Sequence, residues 1–302
     1  MNTAQLPLNR VVVCVCTYKR PGLLTLLLPK LAEQIRALPS WNIRVVIVDN
    51  DERRSAESVV NEFAQEYDDI PVQYISEPAP GVGNARNAGF RAVRAREALV
   101  FFDDDQQPSP NWLAELLGGQ KSFPSAILVG PVVPLLPKES PEWALGAWAW
   151  GRRELPDGLS RKQAGFGNIL IPPNVSASGL CHVPTEFLRG MGEDTLVTTT
   201  LTNAGFLIRQ VAAAKAYEPV TSERLSVEWV SERARISGET WVRVVRASGG
   251  SSAKLAFSML KILISLVVLK MRTIVSVDPT SKVKLIVTRS RLDGYIQSIF
   301  RS

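Results

Sequence analysis

The chain has 302 residues but only three cysteines, Cys14, Cys16 and Cys181, and one histidine, His182. An odd count excludes a fully paired disulfide framework. Cys14 and Cys16 stand two apart in a predicted strand and are read as facing opposite sides of it, so no bridge is expected between them. A reduced, cytoplasmic chain is expected instead. No signal peptide is evident, because the apolar run at residues 11–16 is too short and ends in Thr17-Tyr18-Lys19-Arg20. Low-complexity and repeated segments are absent. So is a Walker A motif. "GVGNARNAG" comes nearest to the dinucleotide fingerprint, which wants G-x-G-x-x-G directly after the first strand. Here Arg86 takes the place of the third glycine and the segment follows the third strand, so a Rossmann dehydrogenase is excluded.

Charge is present but unevenly spread around a net +6. Residues 241–302 carry eleven Lys/Arg against two acids, Asp278 and Asp293, which makes that tail about +9 and leaves the preceding body near −3. A basic tail on a near-neutral body points to an anionic partner.

"RVVVCVC", "IRVVIVD", "VQYIS", "ALVFF" and a segment of "SAILVGPVVPLL" read as buried strands. "PGLLTLLLPKLAEQIRAL", "RSAESVVNEFAQEY", "GVGNARNAGFRAVRAREA" and "NWLAELLG" read as helices between them. The alternation predicts an α/β fold, Rossmann-like, with a mostly parallel sheet and helices on both faces. Ligands of such sheets bind beyond the carboxyl ends of the strands. Thr17, Tyr18, Lys19 and Arg20 follow the first strand, Asp49, Asn50 and Asp51 the second, and Asp103, Asp104 and Asp105 the fourth. All are expected on one edge.

Three adjacent carboxylates repel one another, and a solvated turn before Pro108 needs one Asp rather than three. Hard oxygen ligands favour Mg²⁺ or Mn²⁺, held by one or two carboxylates plus substrate phosphates. Asp49 has a plainer reading as a turn residue or N-cap. Arg86, one turn into a helix opened by glycines, is a candidate diphosphate neighbour. Its plainer reading is the wet side of an amphipathic helix.

"VVVCVCTYKRPGLL", "VVIVDN", "PGVGNARNAGF" and "LVFFDDDQQPSPNWL" together resemble the nucleotide-sugar half of family 2 glycosyltransferases, which have the GT-A fold. The triple aspartate stands where that family carries its D-x-D motif. "FGNILIPPNV" and "LRGMGEDTLVTTTLTNAGFLIRQ" look like the acceptor half, with "GEDT" at the position of the catalytic acid–aspartate pair. "AYEPVTSERLSVEWVSERARISGETWVR" is similar to the closing segment of exopolysaccharide glycosyltransferases of the succinoglycan-biosynthesis kind. The likeness spans roughly residues 9–246.

The resemblance implies an inverting, metal-dependent glycosyltransferase. It would move a sugar from a nucleotide-sugar, UDP favoured, to a saccharide acceptor, expected to be polyprenyl-linked, in surface polysaccharide synthesis. Residues 1–135 would form the nucleotide-sugar half, 136–248 the acceptor and base half, and 249–302 a basic tail. Thr17 and Asp49 would contact base and ribose, with Tyr18, Arg20, Arg86 and Asp104 around the nucleotide-sugar. Asp103 would touch ribose or metal, and Asp105 would ligate Mn²⁺ or Mg²⁺. Asp194 would be the general base, with Glu193 beside it. Many relatives carry a metal-binding histidine downstream of the "ED" helix. Here Glu218 falls near that vacant place, to reach metal or donor, or to pair with Arg224 or Arg233. Those arginines and Arg235 would clamp phosphates, or pair with Glu228 and Glu232.

"SSAKLAFSMLKILISLVVLKMRTIV" reads as a helix with Lys254, Ser258, Lys261, Ser265 and Arg272 on one stripe and Lys270 opposite. A helix lying in the membrane interface is expected, with a helix packed on the domain as the alternative. The implied place is cytoplasmic, peripheral on the inner face of the cell membrane, with no nucleic-acid partner. Trp143, Trp148 and Trp150 would stack on acceptor sugar or simply pack. Two other functions compete. A sugar-nucleotide pyrophosphorylase would need a glycine-rich G-x-G-T-R loop that "CTYKRPG" does not supply. A catalytically inactive sugar- or nucleotide-binding module sits badly with intact "DDD" and "GED".

Overall fold

The structure, a computed structural model, describes residues 9–146, 150, 155–275 and 278–300; Trp148 lies outside them. Two compact units emerge. The first comprises Met1–Val133 and Glu154–Glu218, the second Pro134–Arg153 and Pro219–Ser302. These compact units do not follow the chain order of the 1–135, 136–248 and 249–302 division. The reason is local: the helix at 227–247 finds its packing partner in the tail.

In chain order the elements are β1 (Arg10–Thr17), α1 (Pro21–Arg36), β2 (Asn42–Asp49), α2 (Glu57–Glu66), β3 (Val72–Ser76), α3 (Val82–Arg91) and β4 (Ala98–Asp103). Next come β5 (Gln107–Pro108), α4 (Trp112–Ser122), β6 (Ile127–Val129), β7 (Val132–Leu135), β8 (Ser160–Arg161), β9 (Asn168–Ile171) and α5 (Pro173–Ser176). The chain closes with α6 (Glu193–Asn203), β10 (Ile208–Gln210), β11 (Ala216–Pro219), α7 (Val227–Ala247), α8 (Ser252–Val275) and α9 (Pro279–Phe300).

The main sheet runs β3-β2-β1-β4-β9-β6-β10-β8, and a small one β5-β11-β7. Strands β1 to β4 are parallel, as the continuous β-branched runs predict. The expected parallel sheet is only part of the whole: β9 pairs antiparallel with both β4 and β6. Strand order reverses at β1, which makes the ends of β1 and β4 the natural ligand crevice. Register aligns those ends, with Thr17 opposite Asp49 and Cys16 opposite Asp103.

Both faces of the sheet are covered. Val11, Val13 and Val15 of β1 pack with Leu24, Leu28 and Leu31 of α1 and with Trp112 of α4. On the other face α3 lies so close that a Cβ at Gly89 would meet Phe101 and the Cys14 sulfur at 2.7 and 2.8 Å. All three cysteines are free. Cys14 and Cys16 hydrogen-bond to one another, so they share a face, as alternate strand residues must. Their assignment to opposite faces is thereby corrected.

In the second unit α7 and α9 cross with their backbones nearly touching. A Cβ at Gly238 would meet the Arg291 carbonyl oxygen at 2.1 Å, and one at Gly294 the Arg235 carbonyl oxygen at 1.9 Å. Helix α8 is tied down at its start, where the Tyr295 hydroxyl donates to the Leu255 carbonyl and the Trp241 indole to Ser258. The polar stripe therefore does not all face outward. Ser258 turns toward Trp241, and the Lys254 ammonium sits 5.5 Å from that ring. Arg235 pairs with Glu232 and Glu239, which favours its salt-bridge reading over a phosphate clamp. Trp143 is buried beside Val230 and Val283, with Trp150 and Trp229 packed against the same cluster.

Candidate active site

A cavity of about 630 Å³ opens at the carboxyl ends of β1 and β4, within the usual size of a small-ligand site. Around it stand Thr17, Tyr18, Arg20, Arg86, Asp103, Asp104 and Asp105, together with Glu193 and Asp194. Residues up to 178 apart in sequence, Cys16 and Asp194, thus share one hollow.

The three aspartates have different surroundings. Asp104 is nearly buried and saturated: the Thr17 hydroxyl donates to its Oδ2 at 2.7 Å and Arg20 to its Oδ1 at 3.2 Å. Asp103 receives Arg86, whose side chain is 6% exposed and whose guanidinium lies over the rings of Phe101 and Phe166. The wet-side reading of Arg86 is therefore corrected. Asp105 is reached by Arg20 at 3.4 Å. Burial, then Asp103, Glu218 and Asp104, push its carboxyl up to about 6. The mutual repulsion of the aspartates is not left to an outside cation alone, since two arginines offset part of it. Asp105 stays raised mainly through burial, with the neighbouring acids adding to it.

Gly167 leaves room for the Asp103 carboxylate. A Cβ on it would meet the Asp103 Oδ2 at 2.4 Å and the Gln106 Nε2 at 2.7 Å, so a larger residue would push both side chains out of their places. The glycines before Arg86 have a different use from the one expected. The Gly81 amide donates to Asn50 Oδ1 and the Gly83 amide to the Leu188 carbonyl. A Cβ at Gly81 would strike that same carbonyl oxygen at 2.2 Å. These two amides are committed to the protein, and the glycines admit the segment leading to Glu193.

Asp49 stands behind the cavity. It is fully buried, and its oxygens accept from the amides of Asp51 and Ala56 and from the Tyr74 hydroxyl. It shapes the loop after β2, as the turn reading holds; Asn50 takes its place at the wall. Glu218 does not line the cavity and acts on Asp105 through its charge. Sequence reasoning left out Cys16, Pro80, Phe166 and Arg189, which do line it. Only Asn50 carried a signal, next to a strand-end aspartate.

Glu193 and Asp194 open α6, where the helix N-terminus favours negative charge. Asp194 Oδ1 accepts from the Thr195 amide and hydroxyl. Its Oδ2 accepts no hydrogen bond among the described residues, which leaves it available to a substrate proton. Burial raises Asp194 against those bonds. Burial and neighbouring Asp194 push Glu193 up to about 7, with Arg86 opposing. The two titrate as a pair.

An acid raised in the folded state binds its proton more tightly there than when unfolded. The fold therefore loses stability as pH climbs from the ordinary Glu value of 4.5 through about 7. Glu193→Gln removes that cost. Its Tm is expected to exceed wild type at pH 8 and to match it near pH 4, as thermal unfolding across pH would show. An equal shift at both pH values would contradict the assignment.

The donor set suits a divalent cation: hard carboxylate oxygens on Asp103 and Asp105, with side chains 34% and 24% exposed. No cluster of three or more His, Cys, Asp or Glu ligands exists among the described residues.

Residues 12–175 match the family described as Glycosyl transferase family 2, more than half of the chain. The chain belongs to glycosyl transferase family 2. It is 29% identical over 245 residues to Succinoglycan biosynthesis protein ExoM of Rhizobium meliloti (strain 1021), covering 76% of this chain and 74% of that protein. Among solved structures it is similar to the mannosyltransferase PcManGT from Pyrobaculum calidifontis in complex with GDP-Man and Mn²⁺. The TM-score is 0.64 at 16% identity, with 97% of this chain and 88% of that one covered. It also matches S. aureus TarS, with a TM-score of 0.53 at 15% identity, over 78% of this chain but 43% of that one. These likenesses show the GT-A fold, so the family 2 frame carries the cavity described above.

Proposed function

We propose that this family 2 chain transfers a sugar from a nucleotide-sugar, with inversion, to a saccharide acceptor in exopolysaccharide synthesis. One observation carries the reading: the strand-end aspartates and the Glu193–Asp194 pair line a single cavity. Expected metal chemistry, ExoM's printed role and PcManGT's ligands support it.

Asp103 and Asp105 would hold Mn²⁺ or Mg²⁺, which supplies electrostatic stabilisation of charge growing on the departing diphosphate. Arg86 leaves Nε and Nη1 buried without a partner, donors that a nucleotide-sugar would satisfy. Tyr18, 50% exposed at the mouth, offers a face for stacking. Asp194 takes the proton of the acceptor hydroxyl as it attacks, and its raised pKa suits that task. Glu193 holds a proton over part of the working range and tunes its neighbour. A single base without a protein nucleophile gives inversion. Product from an α-linked donor should carry a β-linkage, read from the anomeric ¹H coupling; retention would overturn this mechanism.

The acceptor is proposed to be lipid-linked, because α8 offers itself to a membrane surface. Ser252–Ile274 is long and apolar enough to cross one, and most of it is exposed. Phe257, Leu260, Ile264, Val267, Val268 and Met271 form a solvent-facing stripe. By helical periodicity Lys261 and Arg272 border it on one side and Lys270 on the other, so their stems can lie along lipid while their charges reach headgroups. Truncating the tail is a poor test, since α9 packs on α7. Leu260→Gln with Val267→Gln is better: both are at least half exposed. Losing two buried apolar groups at about 1.5–3 kcal/mol each should weaken anionic-vesicle binding tenfold or more, with Tm unchanged. Unaltered vesicle binding would contradict the proposal.

A further inference from the structure

Three arginines line the cavity, Arg20, Arg86 and Arg189. Arg20 is committed to Asp104 and Asp105, and Arg86 to Asp103. Arg189 makes no ion pair among the described residues, and it is exposed. Its placement is specified. The segment before it is clamped to α3, where Asn87 exchanges two hydrogen bonds of 2.8 Å with the Val183 backbone. Leu188 accepts from the Gly83 amide. After it, Gly190 and Gly192 hold φ of +100° and +102°, a left-handed backbone that side chains disfavour. This turn aims the chain back so that Arg189 and Glu193 face the same hollow.

The charge balance asks for such a group. Five carboxylates line the cavity against three arginines, two of which already pair with its aspartates. A nucleoside diphosphate adds two to three negative charges more, and one divalent cation offsets only two of them. Building on the function proposed above, we infer that Arg189 is the cation that binds the terminal phosphate of the nucleoside diphosphate. It stabilises that product as the sugar leaves. Its guanidinium suits bidentate phosphate recognition, for which lysine is a weaker substitute.

The test is nucleotide affinity of the full chain with Mn²⁺, using UDP against UMP and GDP against GMP. For whichever base the wild type binds, Arg189→Ala should weaken diphosphate affinity about tenfold or more, as loss of a charge-assisted contact does. Monophosphate affinity should stay within about twofold. Arg189→Lys should recover part of the loss. The Tm of both variants should equal wild type, since the side chain is exposed. Equal loss for mono- and diphosphate, or no loss for either, overturns the assignment. So does a rise in acceptor KM alone, which would place Arg189 on an anionic acceptor. A wild-type chain that binds no nucleoside diphosphate would instead defeat the function on which this inference rests.

Discussion

Asp105→Asn is expected to abolish measurable turnover while leaving the fold intact. The substitution keeps size and shape but removes a carboxylate that burial and three neighbouring acids push up to about 6. A divalent ion would relieve that crowding, and without it the growing charge on the diphosphate loses its main partner. Removing one such electrostatic contribution costs ~10²–10³ in rate. Mn²⁺-dependent nucleotide binding should weaken as well. The sign of the pH effect follows from the raised value. In the wild type a proton competes with the ion below about 6, so Mn²⁺ affinity should fall there and rise above it. The variant should bind weakly at every pH. Calorimetric titration with Mn²⁺ and nucleotide checks this. Full activity in the variant, or in EDTA, would refute the metal role.

Asp194→Asn should lower kcat by ~10²–10⁴, the usual contribution of a positioned general base. Asn accepts no proton, so the attacking hydroxyl must lose its own to water. The remaining contacts on Thr195 can persist through the amide oxygen, so α6 keeps its start. Donor affinity should be retained. Glu193→Gln should cost less, because Glu193 acts through its neighbour. Steady-state kinetics with separate donor binding decides the case. Donor affinity collapsing together with kcat in Asp194→Asn would make the residue a binding or structural group.

Much of the frame was legible because β1, β2 and β4 are buried on both faces. Their β-branched runs allow one reading, and parallel strands place their ends together. Strand β9 was not legible. Its four residues, Asn168–Ile171, are too few for periodicity to classify, and its partners lie far off in sequence. Helix α9 escaped for another reason. Its packing on α7 runs through Gly238 and Gly294, so backbone contact replaces the apolar stripe that a sequence would display.

Within the site, residue types and strand ends singled out the aspartates, and the family resemblance singled out the Glu193–Asp194 pair. What each one touches was hidden. Asp49 carried the look of a ligand contact, and its loop-bracing bonds were hidden, because a carboxylate can satisfy three local donors at once. The neutralisation of Asp103–Asp105 by Arg20 and Arg86 depends on partners 17 to 85 residues away. Arg189 lay within the quoted "LRGMGEDT" segment, but its residue type there carried no role. Only the folded path of its segment over α3 brings it to the cavity.

The central claim is that this cavity breaks a nucleotide–sugar bond for an acceptor. The most direct measurement is release of nucleoside diphosphate by the purified full chain. A panel of nucleotide-sugars would be supplied with Mn²⁺ and a lipid-linked saccharide extract. The account predicts acceptor-dependent release from at least one donor, lost on adding EDTA and in both Asp105→Asn and Asp194→Asn. Release that continued undiminished in Asp105→Asn and Asp194→Asn would contradict it.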